Sequence, residues 1–213
     1  MREDVIKKIE EEKIISIIRG IAPDDAVKVA KALYDGGIKL VEVTFDQSNP
    51  DKFINTAIAI KAIKTAMGDK MCVGAGTVIT KEQVDMAFDA GAEYIVSPDT
   101  DKKIIKRTVK KGMVSLPGAY TPSEAKKAVL AGADFVKIFP CSSASYIKAI
   151  KAPLSHIKFL AVGGVSIDNA SDFMMAGAVG IGVGGSLVNK DWVKNGDFNK
   201  ITETAKKLVE MVK

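Results

Sequence analysis

Two rhythms of apolar and polar positions alternate along this chain from one end to the other. Short runs of aliphatic and β-branched residues have the pattern of strands buried on both faces. Between them lie longer stretches with apolar residues every three or four positions, the pattern of amphipathic helices. The stretch 4–12 predicts a short helix lying across the outside, and 14–18 a first strand ended by Arg19-Gly20. Pro23 and Asp24 open a helix running to residue 34. Further strands are predicted over 39–45, 71–74, 94–97, 113–116, 134–140, 158–162 and 179–183. Helices are predicted over 52–67, 81–90, 102–111, 123–131, 146–150, 168–176 and 198–212.

Helices end repeatedly in Ala-Gly-Ala before the next strand, at Ala90-Gly91-Ala92, Ala131-Gly132-Ala133 and Ala176-Gly177-Ala178, with Gly36-Gly37 and Gly112 in the same role. A residue without Cβ takes the left-handed helix cap at little cost. The strand-then-helix unit recurs at roughly 20–30 residues. Some eight such units in 213 residues predict an α/β fold, a (β/α)8 TIM barrel with a short N-terminal helix, as one domain over residues 1–213. The alternative is an open doubly wound sheet. The barrel is preferred because no linker or shift in composition divides the chain.

Composition narrows the function. The chain is 47% hydrophobic and 27% charged, the balance of an ordinary globular protein. Its net charge of +5 comes from 31 basic and 26 acidic residues mixed along the sequence. No block of like charge and no interleaving of aromatic with basic residues points to nucleic acid. The mild positive balance suits small anionic substrates. Cys72 and Cys141 lie far apart without metal-ligand spacing, so a reducing, cytoplasmic location and no metal or cofactor are expected. Residues 2–13 carry no apolar signal-peptide core, and no apolar run approaches the ~18 residues of a membrane span.

In a barrel, chemistry gathers where strands end. Those positions include Arg19, Glu42, Thr44, Gly76, Thr77, Pro98, Pro117, Lys137 and Phe139, then Gly163, Gly164, Gly184, Gly185 and Ser186. Lys137 sits inside the apolar strand Val136-Lys137-Ile138, where an unpaired ammonium is costly. Either its stem packs while the amine reaches water, or the amine has a lowered pKa and attacks a carbonyl to form a Schiff base. Alternation gives Glu42 the face of Leu40 and Thr44, and a carboxylate buried there needs Lys137 or Arg19 as partner. Val162-Gly163-Gly164-Val165-Ser166 and Gly182-Val183-Gly184-Gly185-Ser186 follow the seventh and eighth predicted strands, the usual phosphate loops of this fold. Their amides, with a helix start at Ser186, would cradle a phosphate; otherwise these glycines only make tight turns. Gly180, Gly182 and Gly185 match a dinucleotide fingerprint, but no βαβ unit follows, so that reading is discarded. His156 falls on the far side from these loops, nothing pairs with Cys141, and the pattern around Asp191 and Trp192 assigns them no role.

In order along nearly the whole chain stand Ile17-Ile18-Arg19-Gly20-Ile21, Val41-Glu42-Val43-Thr44, Val73-Gly74-Ala75-Gly76-Thr77-Val78, Val96-Ser97-Pro98 and Leu116-Pro117-Gly118. Val136-Lys137-Ile138-Phe139-Pro140, Val162-Gly163-Gly164-Val165 and Gly184-Gly185-Ser186 complete the set. Singly these are common barrel phrases, but the ordered set resembles the class I 2-keto-3-deoxy-6-phosphogluconate (KDPG) and 4-hydroxy-2-oxoglutarate (KHG) aldolases, with their phosphogalactonate (KDPGal) branch. The resemblance implies a lyase cleaving KDPG or KDPGal to pyruvate and glyceraldehyde 3-phosphate, with 4-hydroxy-2-oxoglutarate as a further substrate, cleaved to pyruvate and glyoxylate. It implies that Lys137 forms the Schiff base with pyruvate and Glu42 moves protons. Arg19 and Thr77 would touch the pyruvyl carboxylate, Phe139 and Pro98 would flank the imine, and the glycine clusters with Ser186 would hold phosphate. It also implies a homotrimer. One departure is Asp46, where many phosphogluconate aldolases carry an arginine; an acid there repels a carboxylate, leaving Arg19 as its partner. A phosphate-binding barrel isomerase or epimerase, and a non-catalytic trimeric binding protein, are the alternatives.

Overall fold

What each strand buries decides where it lies. The computed structural model describes residues 2–212. Among them nine strands form one parallel sheet: β1 (Ile14–Ile18), β2 (Leu40–Thr44), β3 (Cys72–Gly76), β4 (Tyr94–Val96), β5 (Val114–Leu116), β6 (Gly118–Ala119), β7 (Val136–Ile138), β8 (Phe159–Val162) and β9 (Gly180–Val183). Around them run α1 (Arg2–Glu12), α2 (Pro23–Asp35), α3 (Phe53–Met67), α4 (Lys81–Asp89), α5 (Lys102–Lys110), α6 (Pro122–Ala131), α7 (Ala144–Lys151), α8 (Ala170–Met175), α9 (Lys190–Asn195) and α10 (Phe198–Val212).

The sheet order, β5-β4-β3-β2-β1-β9-β8-β7-β6, is that of a barrel whose two ends meet. The strand predicted over 113–116 continues past Pro117 as β6. Proline has no N–H to give, so the ladder is interrupted there and one strand becomes two. β5 pairs with β4, while β6 pairs with β7. Across the junction the Asp134 amide donates to Ser115 O (3.1 Å) and the Lys137 amide to Pro117 O (2.9 Å), which draws the ring together. The expected (β/α)8 barrel is therefore present, with its fifth strand counted twice.

Period-2 alternation sorts the side chains into two cores. Ile15, Leu40, Cys72, Tyr94, Val96, Val114, Leu116, Phe135 and Leu160 fill the inside of the ring. Val41, Val43, Val73, Val136 and Ile138 face outward into the helical layer. Val5 and Ile9 of α1 belong to the inner core, so α1 stoppers the base of the barrel rather than lying across its outside. Its apolar stripe predicted a buried face but not what would bury it. Arg2 anchors the stopper through bonds of 2.8 and 3.0 Å to the Asp134 carboxylate, which also accepts the Ser115 amide at 2.9 Å.

Gly37, Gly91, Gly112, Gly132 and Gly177 all take positive φ, between 78° and 108°, as the capping pattern requires. The short helix α9 was not foreseen. It starts where Asn189 Oδ1 accepts the amides of Asp191 (2.8 Å) and Trp192 (3.3 Å), and stops at Gly196. Among the described residues no helix is long and apolar enough to cross a membrane.

Candidate active site

Val136 and Ile138 point outward from β7, so Lys137 between them points into the barrel. It is only 7% exposed, with Nζ 4.7 Å from the centroid of the Phe139 ring. Burial lowers its pKa from the ordinary lysine value, opposed by the nearby Glu42 charge and reinforced by Arg19. The uncharged amine, which is the nucleophilic form, is thereby favoured.

Glu42 faces inward from β2 between β1 and β3, where it opposes Ile17 and Gly74. It is 3% exposed. Gly76 makes the room for it, because a Cβ on that residue would stand 2.6 Å from Glu42 Oε1. Burial raises the Glu42 pKa, while Lys137 and then Arg19 pull it down. Burial thus pushes both groups toward their uncharged forms, favouring the free amine and raising the proton affinity of the carboxyl. Beneath them a recess of about 10 Å³, walled by Ile15, Val96, Leu116 and Leu160, is on the scale of a single water.

Above them opens a cavity of about 650 Å³. Lys137, Glu42, Arg19, Phe139, Gly163, Gly164, Gly184, Gly185 and Ser186 all line it. Gly163 (φ 96°) and Gly164 (φ 72°) need the left-handed conformation, and Asn169 braces their loop by donating to Gly164 O (2.8 Å) and accepting the Ser166 amide (2.9 Å). The amides of Gly164, Gly184, Gly185 and Ser186 meet no acceptor among the described residues. A Cβ on Gly185 would meet nothing within 4 Å. Two details differ from expectation. The Ser186 hydroxyl donates to Val165 O (3.0 Å), lacing the two glycine loops together. No helix starts there either: Leu187 and Val188 both donate to Gly184 O (2.9 Å) in a single turn.

Thr77 and Pro98 do not line the main cavity. Thr77 lies in an adjoining hollow with Arg19, whose Nη2 reaches the threonine hydroxyl at 3.4 Å. It adopts a φ of 55°, uncommon for a β-branched residue, with its carbonyl held by Gln47 Nε2 at 2.6 Å. Pro98 is half-buried, and its carbonyl lies against Gly118, where a Cβ would come within 2.1 Å. Asp46 also lies outside the main cavity. Its carboxylate is bound by the hydroxyl (2.6 Å) and amide (3.0 Å) of Ser48, which hold its pKa below the usual carboxylate range. His156 is exposed, and burial pushes the Cys141 thiol up to about 11. Sequence reading missed Ile17, Asn189, Lys190 and Asp191 in the cavity wall. The asparagine cap and the glycine stop of α9 were the available signal for the last three. Among the described residues no group of three or more His, Cys, Asp or Glu side chains could hold a metal ion.

The sequence model of a family described as "KDPG and KHG aldolase" matches residues 5–204. A 2-dehydro-3-deoxy-6-phosphogalactonate aldolase of Escherichia coli K12 is 41% identical over 177 residues, 82% of this chain and 83% of that protein. A solved structure described as native KDPGal superposes with a TM-score of 0.83 at 38% identity, covering 93% of each chain. A KDPG aldolase from Legionella pneumophila, solved with pyruvate captured as a covalent carbinolamine intermediate, gives a TM-score of 0.80 at 27% identity over 92% of this chain and 93% of that one.

Proposed function

Because the chain belongs to the KDPG and KHG aldolase family, we propose that it is a class I aldolase acting on a 2-keto-3-deoxy-6-phospho sugar acid, of KDPGal or KDPG type. The observation that carries this reading is an inward-facing lysine, buried with a carboxyl in one cavity under two glycine loops. The uncharged Lys137 amine adds to the C2 carbonyl, and a proton from the Glu42 carboxyl carries the carbinol oxygen off as water, giving an iminium and leaving Glu42 as the carboxylate. The C3–C4 bond then breaks. Its electrons pass to the iminium, which becomes an enamine, as the C4 hydroxyl surrenders its proton to Glu42 and leaves as the aldehyde of glyceraldehyde 3-phosphate. Glu42 returns that proton to C3, forming the methyl group of pyruvate, and water hydrolyses the iminium to free the Lys137 amine, the released proton going back to Glu42. Phe139 beneath the amine is the apolar neighbour this sequence needs, and Arg19 is the cation placed for the carboxylate. Pro98 stays in this reading as a more distant neighbour of the imine. Thr77 would act through Arg19. The loop amides of Gly163, Gly164, Gly184 and Gly185, with Ser186 lacing the loops, would hold the phosphate.

4-Hydroxy-2-oxoglutarate, giving pyruvate and glyoxylate, is the unphosphorylated substrate this site would also process. The work would be sugar-acid breakdown of the Entner–Doudoroff kind. Two unpaired cysteines support a cytoplasmic setting, and exposed apolar residues such as Leu130 and Met175 support assembly as a homotrimer of one-domain chains. Borohydride reduction in the presence of pyruvate tests the core of the proposal. A pyruvyl adduct located on Lys137 by mass spectrometry, absent from Lys137→Ala, is expected. An adduct on another lysine, or none, would overturn it.

A further inference from the structure

Among the described residues three cations reach the main cavity: Arg19, Lys137 and Lys190. If the aldolase reading holds, Lys137 must be neutral to react, and Arg19 stands on the Thr77 side with the keto-acid end. A phosphate dianion at the glycine loops would then meet only neutral amides, and among the described residues Lys190 is the cation left in the cavity to balance it. Lys190 opens α9, directly beyond the second glycine loop, and lines both the main cavity and the two hollows beside Arg19 and Asp46.

Its ammonium rests over the turn that follows β1. A Cβ on Gly20 would stand 2.8 Å from Lys190 Nζ, and Gly20 has a φ of 65°, so a residue without a side chain shapes that seat. Among the described residues Lys190 makes no ion pair within 4.0 Å. Two carboxylates share its rim. Asp46 is occupied by Ser48 and feels Lys190 only through space, while Asp191 lines the same cavity. An unpaired ammonium on a flexible four-carbon stem, lining the same cavity as the glycine loops, is suited to close on an anion there.

We propose that Lys190 is the residue that makes this site select phosphorylated keto acids, by moving from its seat over Gly20 onto a phosphate held by the amides of Gly164, Gly185 and Ser186. The inference rests on the aldolase reading for its substrate, but not for its binding test. Inorganic phosphate should raise the melting temperature of the parent protein, and Lys190→Met should need about 10- to 100-fold more phosphate for the same rise. Lys190→Arg should recover most of the difference, because it keeps the charge. In turnover, Lys190→Met should raise KM for the phosphorylated substrate by a similar factor, at least tenfold more than it slows pyruvate methyl-proton exchange. Equal phosphate sensitivity in parent and Lys190→Met, or equal damage to exchange and to phosphorylated turnover, would overturn the proposal. A parent that forms no imine with pyruvate would sink the aldolase reading and leave the phosphate measurement to decide on Lys190.

Discussion

Gly76→Ala tests the site without replacing any residue that does chemistry. The new Cβ would stand 2.6 Å from Glu42 Oε1, 2.9 Å from its Cδ and 3.0 Å from Thr44 Cγ2. Ordinary contact begins near 3.4 Å, so the carboxylate oxygen has to retreat by about 0.8 Å. The backbone cannot absorb this, because β2 is paired along its length with β1 on one side and β3 on the other. The displacement therefore falls on the Glu42 side chain. Misplacing a reacting group by ~1 Å costs about 10²-fold in rate, while overpacking costs about 1–3 kcal/mol of stability. The expected result is a folded protein, melting below the parent, that still traps pyruvate on Lys137 with borohydride. Its exchange of pyruvate methyl protons in D2O, followed by NMR, falls ~100-fold. Glu42→Gln should lose at least as much, about 10²–10⁴, and adding Gly76→Ala to it should cost the exchange little more. An exchange rate within a few-fold of the parent in folded Gly76→Ala would mean that Glu42 is not the proton carrier or that its position does not matter.

Two further outcomes follow from the same geometry. Gly185→Val should fold normally, since a Cβ there meets no atom within 4 Å and the residue is not in the left-handed region; it should raise KM for a phosphorylated substrate about tenfold or more by filling phosphate space, while equal damage to pyruvate exchange would show that the glycine only shapes the barrel. Lys137→Met removes the larger of the two charges that hold down the Glu42 pKa, so that pKa rises further above its ordinary 4.5. A carboxyl with a raised folded-state pKa binds more protons folded than unfolded, so stability falls as pH climbs from 4.5 through the raised value. Urea melts across pH should show that fall extending to higher pH in Lys137→Met than in the parent, and Lys137→Met/Glu42→Gln should lose the extension; superimposable parent and Lys137→Met profiles would contradict the coupling.

The barrel could be read from the sequence because its punctuation is local. Glycine caps and short apolar runs need no tertiary context to be recognised, and Lys137 and Glu42 stood out as charges on strands with no solvated face. Features that depend on distant packing were less accessible. The stripe on α1 gave no hint that Val5 and Ile9 would seal the barrel base. Pro117 disguised a strand as a loop, because its missing N–H interrupts the ladder without ending the chain's path. Thr77 and Pro98 follow their strands by a residue or two, and the loop backbone, not the strand, decides which hollow each one faces. Lys190 was hidden by a helix only six residues long, too short for apolar periodicity to register.

The junction at Pro117 also bears on how the ring holds together in motion. Between β6 and β7 the pairing covers only Gly118 with Lys137 and Ala119 with Ile138, whereas β2 and β3 are in register over five residues. One of the two shortest ladders of the barrel, the other being β3–β4, thus runs alongside the strand that carries Lys137. Local opening begins where backbone ladders are short, so the amine lies next to a part of the wall that opens readily. Yet α6 ties the two edges of this seam together through a short stretch of chain. Rejoining them closes a small loop at low entropic cost, unlike the β1–β9 contact, which joins the two ends of the sequence. The barrel can therefore flex beside its lysine and reseal quickly, while the pairings that are slow to form again stay away from it.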